Sequence, residues 1–147
     1  MELPPSLSTE LAQRRGGSPF RILVVDDSPA IRRRLVERLE EVDGIEVVGE
    51  AGDGRQAFES IKSVLPHLLT LDIRMPGGNG LGLLRELREM ESAPLVAVVT
   101  NHTSSGYRSR CMQWGALAVF DKSSQIDDLI LLVEALQRQS APTEFNA

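Results

Sequence analysis

Short apolar runs that stop abruptly, separated by stretches with helical periodicity, fill residues 20–138 and constrain this chain more than any other feature. The first run is FRILVVD at 20–26. It is rich in β-branched residues and apolar on both faces, which predicts a strand buried from two sides. Ser28 follows as a helix cap, with Pro29 in the first turn, where its missing N–H costs nothing. Ile31, Leu35, Leu39 and Val42 then form one apolar stripe. Arg32, Arg33, Arg34, Glu37 and Glu41 cover much of the rest, and the arginine run reads as a solvated face.

The alternation repeats. Strands are expected at 45–49, 68–72, 95–100 and 117–120. Between them, helices are marked by Ala57, Phe58, Ile61 and Val64, then Leu83, Leu84 and Leu87, then Tyr107, Cys111 and Trp114. A last helix carries Ile126, Leu129, Ile130, Val133 and Leu136, with Ser123 or Ser124 as its cap. Leu131 and Leu132 fall off that stripe, so the helix has either a wide core face or an association surface. The expected architecture is an α/β, doubly wound, five-stranded parallel sheet with five helices. Right-handed crossovers leave few orders, and the flavodoxin-like order 2-1-3-4-5 needs only five strands. Residues 1–19, MELPPSLSTELAQRRGGSP, read as a disordered N-terminal extension with room for a short helix over 9–15. Residues 20–138 form the domain, and 139–147 a short C-terminal tail without an output domain.

Composition narrows the function. A net charge of -5 argues against direct binding of nucleic acid, which wants a basic face. No apolar run approaches the ~18 residues of a membrane span. One cysteine, Cys111, makes a reducing, cytoplasmic compartment the default. Arg14-Arg15 lacks the apolar block that a twin-arginine export signal needs.

In the 2-1-3-4-5 order, ligands bind at the carboxyl ends of the strands, between strands 1 and 3. Asp26 and Asp27 end the first strand, Asp72 the third and Thr100 the fourth, while Lys122 follows the fifth. Three carboxylates on one edge form a hard, oxygen-rich site suited to Mg²⁺, which takes few carboxylates and keeps waters for a phosphate. His67 and His102 are isolated, so a zinc site is not built.

These pieces closely resemble the receiver domains of bacterial two-component response regulators. The resemblance covers residues 20–138 and rests on DDS at 26–28, LDIRMPGGNG at 71–80, VVT at 98–100 and DKS at 121–123. It implies that Asp72 accepts a phosphoryl group from a histidine kinase or phosphotransfer protein. It also implies that Asp26, Asp27, Asp72 and the backbone carbonyl of Arg74 hold Mg²⁺. Lys122 then pairs with the phosphoryl oxygens, and Thr100 hydrogen-bonds the phosphoryl group and moves on activation. The implied partners are that kinase and a downstream protein target. The fourth helix, fifth strand and last helix form the family's contact or homodimer surface.

Three departures stand out. The usual aromatic switch position holds Val119, and Phe120 beside it points to the other face. The lysine is followed by Ser123 in place of proline; either the bond is trans and the loop rearranged, or a cis bond costing ~2.5–4 kcal/mol is tolerated. The reach required of Lys122 favours cis. Arg74, Asn101 and His102 flank the path of attacking water and are expected to tune hydrolysis of the acyl phosphate. Two alternatives carry weight: an adaptor that signals independently of phosphorylation, and a receiver cut from a longer regulator. An aspartyl phosphohydrolase is disfavoured, because Ile73 and Arg74 leave no acid just after Asp72.

Overall fold

The computed structural model describes residues 1–75 and 80–141. Its sheet has five parallel strands in the order β2-β1-β3-β4-β5. They are β1 (Phe20–Val25), β2 (Ile45–Ala51), β3 (Leu68–Leu71), β4 (Leu95–Thr100) and β5 (Ala118–Asp121). The helices are α1 (Pro5–Arg15), α2 (Pro29–Glu40), α3 (Gly54–Val64), α4 (Gly80–Arg88), α5 (Ser105–Gln113) and α6 (Ile126–Gln139).

Strand alternation divides the core in two. Leu23, Val25, Leu69, Leu71, Val98 and Val119 face α3, α4 and α5. Phe20, Ile22, Val24, Ala97, Val99 and Phe120 face α1, α2 and α6. Val119 and Phe120 therefore lie on opposite faces, as the two-residue period of a strand requires. Leu132 joins the core, whereas Leu131 is 56% exposed.

The N-terminal expectation is corrected. Residues 5–15 form an additional helix, the sixth among the described residues, rather than a disordered extension. Two contacts explain its order. Leu11 is fully buried in the second core, with Leu3 and Leu7 packed beside it. Buried Arg15 donates to the Gln137 carbonyl at 2.8 Å and to Ser140 Oγ at 3.0 Å, capping the end of α6. The period of a short, polar-rich stretch does not reveal a partner 122 residues away.

Two local expectations also change. Ser28 caps α2 as read, accepting from the Ile31 N–H. Neither Ser123 nor Ser124 caps α6, whose N-cap position is Gln125 without a side-chain cap. There is no cis peptide bond among the described residues, so Lys122–Ser123 is trans. Residues 76–79 of the glycine-rich loop and residues 142–147 of the expected tail lie outside the described residues.

Candidate functional site

Parallel pairing brings the strand ends together. The Asp26 N–H donates to the Ala51 carbonyl at 3.0 Å and the Asp72 N–H to the Val25 carbonyl at 3.0 Å. Each aspartate is thus held at the first position beyond its strand. Asp26 and Asp72 are 1% and 5% exposed, while Asp27 faces solvent. One carboxylate oxygen from each of the three lies within 4.8 Å of the others.

Lys122 closes this group. Its Nζ lies 2.7 Å from Asp26 Oδ2 and 2.8 Å from Asp72 Oδ2. The Asp72 contact is a hydrogen bond, and both contacts are short ion pairs. Burial pushes the Asp26 carboxyl up, against the opposing pull of Lys122 and the Ser28 N–H, which lies 2.9 Å from Oδ1. Burial works to lower the Lys122 ammonium, but its bonds to Asp26 and Asp72 outweigh that and raise it. An all-oxygen donor set with excess negative charge fits a hard divalent cation.

A trans bond is the ordinary state before serine, and Asp121 shapes the turn that follows it. Its Oδ1 accepts the N–H groups of Ser123 at 2.8 Å and Ser124 at 3.0 Å, forming a tight turn. A proline at 123 has no N–H to give, so serine permits this turn and the turn aims Lys122 inward. Ser123 Oγ also donates to Asn101 Oδ1 at 3.1 Å, tying the loops after β4 and β5 together.

The remaining expected residues surround the group unequally. Thr100 is fully buried at the end of β4, and its Oγ1 accepts the His102 N–H at 3.1 Å. The Arg74 N–H donates to Asp72 Oδ1 at 3.2 Å, so its backbone turns back over the site. Its guanidinium Nη2 lies 3.2 Å from the Tyr107 hydroxyl on α5, and the Tyr107 ring lies 5.8 Å from that of His102. Gly80 is required by space, since a Cβ there would come within 2.6 Å of the Asp72 carbonyl oxygen.

Three contributors escaped sequence reading. Arg32, within the arginine run read as solvated, donates Nη1 to the Asp26 carbonyl at 2.6 Å and Nε to Glu50 at 3.3 Å. Arg108 donates to the carbonyls of Thr103 and Val119 and to Gln125 Oε1 at 2.9–3.2 Å. Gln125 Oε1 in turn accepts the Asp121 N–H at 2.8 Å. A lone Arg or Gln on a helical face carries no signal of such long-range bonds. Only the position of Arg32 four residues after the cap, facing the strand end, pointed that way.

Residues 22–134 match the model of the response regulator receiver domain, and the chain belongs to this family, the receiver module of two-component signalling. Among curated relatives, it is 42% identical over 113 residues to protein-glutamate methylesterase/protein-glutamine glutaminase 5 of Myxococcus xanthus, covering 74% of this chain and 32% of that one. It is 37% identical over 116 residues to the transcriptional regulatory protein PdtaR of Mycobacterium tuberculosis, covering 79% and 56%. The chain thus spans 32% and 56% of the length of these two relatives. Among solved structures, it resembles the signal receiver domain of the response regulator NarL from Mycobacterium tuberculosis, at TM-score 0.75 and 31% identity over 82% of this chain and 98% of that one. The response regulator domain of Thermotoga maritima CheB gives TM-score 0.72 and 28% identity over 83% and 96%.

Proposed function

We propose that this domain is a phosphorylation-dependent switch in which Asp72 takes a phosphoryl group from the phosphohistidine of a partner kinase or phosphotransfer protein. The observation that carries the reading is Lys122 Nζ standing within 2.8 Å of both Asp26 and Asp72. A carboxylate oxygen of Asp72 forms the new P–O bond as the P–N bond breaks, its electron pair returning to the imidazole nitrogen. Lys122 moves from the carboxylate to the transferred oxygens and supplies positive charge there. Asp26, Asp27, Asp72 and the Arg74 carbonyl would hold Mg²⁺, which when bound supplies charge neutralisation for the phosphoryl oxygens. Thr100 Oγ1 accepts the His102 N–H, which leaves the hydroxyl proton to donate to the phosphoryl group.

Loss of the mark is hydrolysis of the acyl phosphate. Arg74, Asn101 and His102 flank the approach of water, and the Arg74–Tyr107 bond extends this screen. Partners dock from two sides in this reading. A groove of about 470 Å³ between α2 and the β5–α6 turn, bordered by Lys122, Asn101, Arg34 and Arg38, admits the phosphoryl donor. The α5–β5–α6 side, where Met112 and Leu131 are exposed, presents the downstream or homodimer contact.

The test is the intact mass of the full chain with Mg²⁺ and acetyl phosphate, beside Asp72→Ala. A gain of one phosphoryl group that needs both Mg²⁺ and Asp72 is expected; beryllofluoride binding covers a short-lived mark. An unmodified wild type that also fails to bind beryllofluoride overturns the reading. Val119, with no ring to swing, favours the second reading of a phosphorylation-independent adaptor in that event. Catalytic output of a longer regulator resides outside this receiver in either case.

A further inference from the structure

One arginine joins the loop after Thr100 to both helices of the α5–β5–α6 side. Arg108 is half-buried on α5. It donates Nε to the Thr103 carbonyl at 3.2 Å, Nη1 to the Val119 carbonyl at 2.9 Å and Nη2 to Gln125 Oε1 at 3.1 Å. A single guanidinium thus holds the loop after β4, strand β5 and the residue before α6. It forms no ion pair among the described residues, so its charge is spent on neutral acceptors. Such charge-assisted bonds are strong, and the planar fork fixes their directions together.

The helix starts on either side of β5 are weakly secured. Ser104 and Gln125 occupy the N-cap positions of α5 and α6, and neither side chain caps its helix. The first-turn N–H groups therefore lack the partner that a cap supplies. At Gln125 the reason is visible: Oε1 already accepts Arg108 Nη2 and the Asp121 N–H, the latter at 2.8 Å. Gly106 weakens the first turn of α5 further. Helix ends of this kind open at low free energy.

The loop between Thr100 and α5 is meanwhile fastened to the β5–α6 turn. Thr103 Oγ1 donates to Asp121 Oδ2 at 3.3 Å, and Ser123 Oγ to Asn101 Oδ1 at 3.1 Å. Val119 offers Arg108 its carbonyl, while its side chain is buried in the first core. A displacement of residues 101–103 therefore reaches both helix starts through Arg108.

We propose that Arg108 is the relay from the phosphoryl site to the α5–β5–α6 side, an inference that rests on Asp72 being the phosphoryl acceptor. Its three bonds stabilise the resting arrangement of α5 and α6, and phosphorylation releases them. When Thr100 turns its hydroxyl to the phosphoryl group, residues 101–103 follow and the Thr103 carbonyl leaves Nε. The guanidinium then gives up Gln125, and the first turn of α6 shifts. Linkage fixes a sign. A group that stabilises the resting state opposes the phosphorylated one, so removing its bonds raises affinity for a phosphoryl mimic. A residue that merely supported the fold would lower that affinity or leave it alone. Removing a positive charge would likewise weaken binding of an anion, so tighter binding is specific to the relay.

The test titrates beryllofluoride with Mg²⁺ into the full chain, Arg108→Met and Gln125→Leu, following backbone amide resonances. Asp72 and Lys122 report occupancy; residues 105–108 and 125–129 report the helix starts. Arg108→Met keeps the aliphatic stem and is expected to bind about fivefold tighter than wild type. Before any addition, its helix-start resonances should already lie part-way to the positions that saturated wild type reaches. Gln125→Leu removes the acceptor without changing charge; it should bind about two- to fivefold tighter and serves if Arg108→Met fails to fold. Equal or weaker binding by either folded variant overturns the relay and leaves the phosphoryl site standing. A wild type that binds no beryllofluoride overturns the phosphoryl-acceptor reading and the relay with it.

Discussion

Lys122 Nζ donates to Asp72 Oδ2 at 2.8 Å, and the turn that aims it is held by Asp121, the residue before it. A tightly held cation beside a carboxylate neutralises charge without reorganising during transfer. Lys122→Met is therefore expected to reduce phosphoryl uptake from acetyl phosphate by about a hundredfold or more. Asp121→Ala, which frees the turn but keeps the ammonium, should cost about tenfold, since displacement by an ångström is felt strongly. Intact-mass time courses at fixed Mg²⁺ separate the two; equal uptake by Asp121→Ala and wild type counts against the role of the turn.

Asp26 illustrates stability given up for a site. Burial raises its pKa above the ordinary 3.8, so the folded state binds its proton more readily than the unfolded chain. Between those two pKa values stability falls as pH rises, and at pH 7 the buried charge is a net cost. Asp26→Asn is expected to raise the thermal midpoint at pH 7 by about 2–4 °C and to abolish uptake. The stabilisation should shrink as pH falls below the unfolded pKa. A lower midpoint at pH 7 would show the Lys122 ion pair to be worth more than desolvation costs.

Arg74 and Tyr107 meet at 3.2 Å across the mouth of the site. If the pair screens water, Tyr107→Phe should speed loss of the acyl phosphate about two- to fivefold, the scale of one hydrogen bond. Arg74→Ala and Asn101→Ala should speed it at least as much. The check is decay of the phosphorylated mass after removal of the donor; unchanged decay in all three variants excludes the screen.

His67 makes acid stability a readout of the far end of the sheet. Burial, with Arg21 and Arg15 adding repulsion, lowers its pKa from 6.5 to about 4. The unfolded chain binds the proton first, so stability contributed by this depressed group is complete above pH 6.5 and is lost as pH falls towards 4. The loss is about 2–3 kcal/mol over that window. Chemical denaturation at pH 7 and pH 4 should show a smaller drop for His67→Asn than for wild type; parallel drops would refute the assignment.

Arg15 joins α1 to the C-terminal end of α6 through Gln137 and Ser140. Arg15→Met keeps the aliphatic stem and removes the donors, leaving a buried carbonyl unpaired. A loss of about 2–4 kcal/mol in unfolding free energy is expected. Amide exchange should accelerate first in α1 and the last turn of α6; uniform exchange instead would show that α1 is not held there.

Much of this molecule is legible from local pattern. Apolar runs ending in aspartate, and stripes at helical spacing, define the elements between residues 20 and 139, and right-handed crossover rules order the strands. That order alone places Asp26, Asp27, Asp72, Thr100 and Lys122 at one edge. What escaped was decided by partners far apart in sequence. The N-terminal helix is ordered because Leu11 finds the second core and Arg15 finds the end of α6. The Lys122–Ser123 bond is trans, and Asp121 collects the N–H groups of Ser123 and Ser124, the first of which a proline could not provide. The part of Arg32 in holding Asp26, and the meeting of His67 with Arg21 around a cavity, were equally invisible. Periodicity reports which face of an element is buried; it does not report which distant carbonyl or carboxylate a long polar side chain will reach. That choice belongs to the packed structure, where desolvation leaves each buried donor only the partners within its reach.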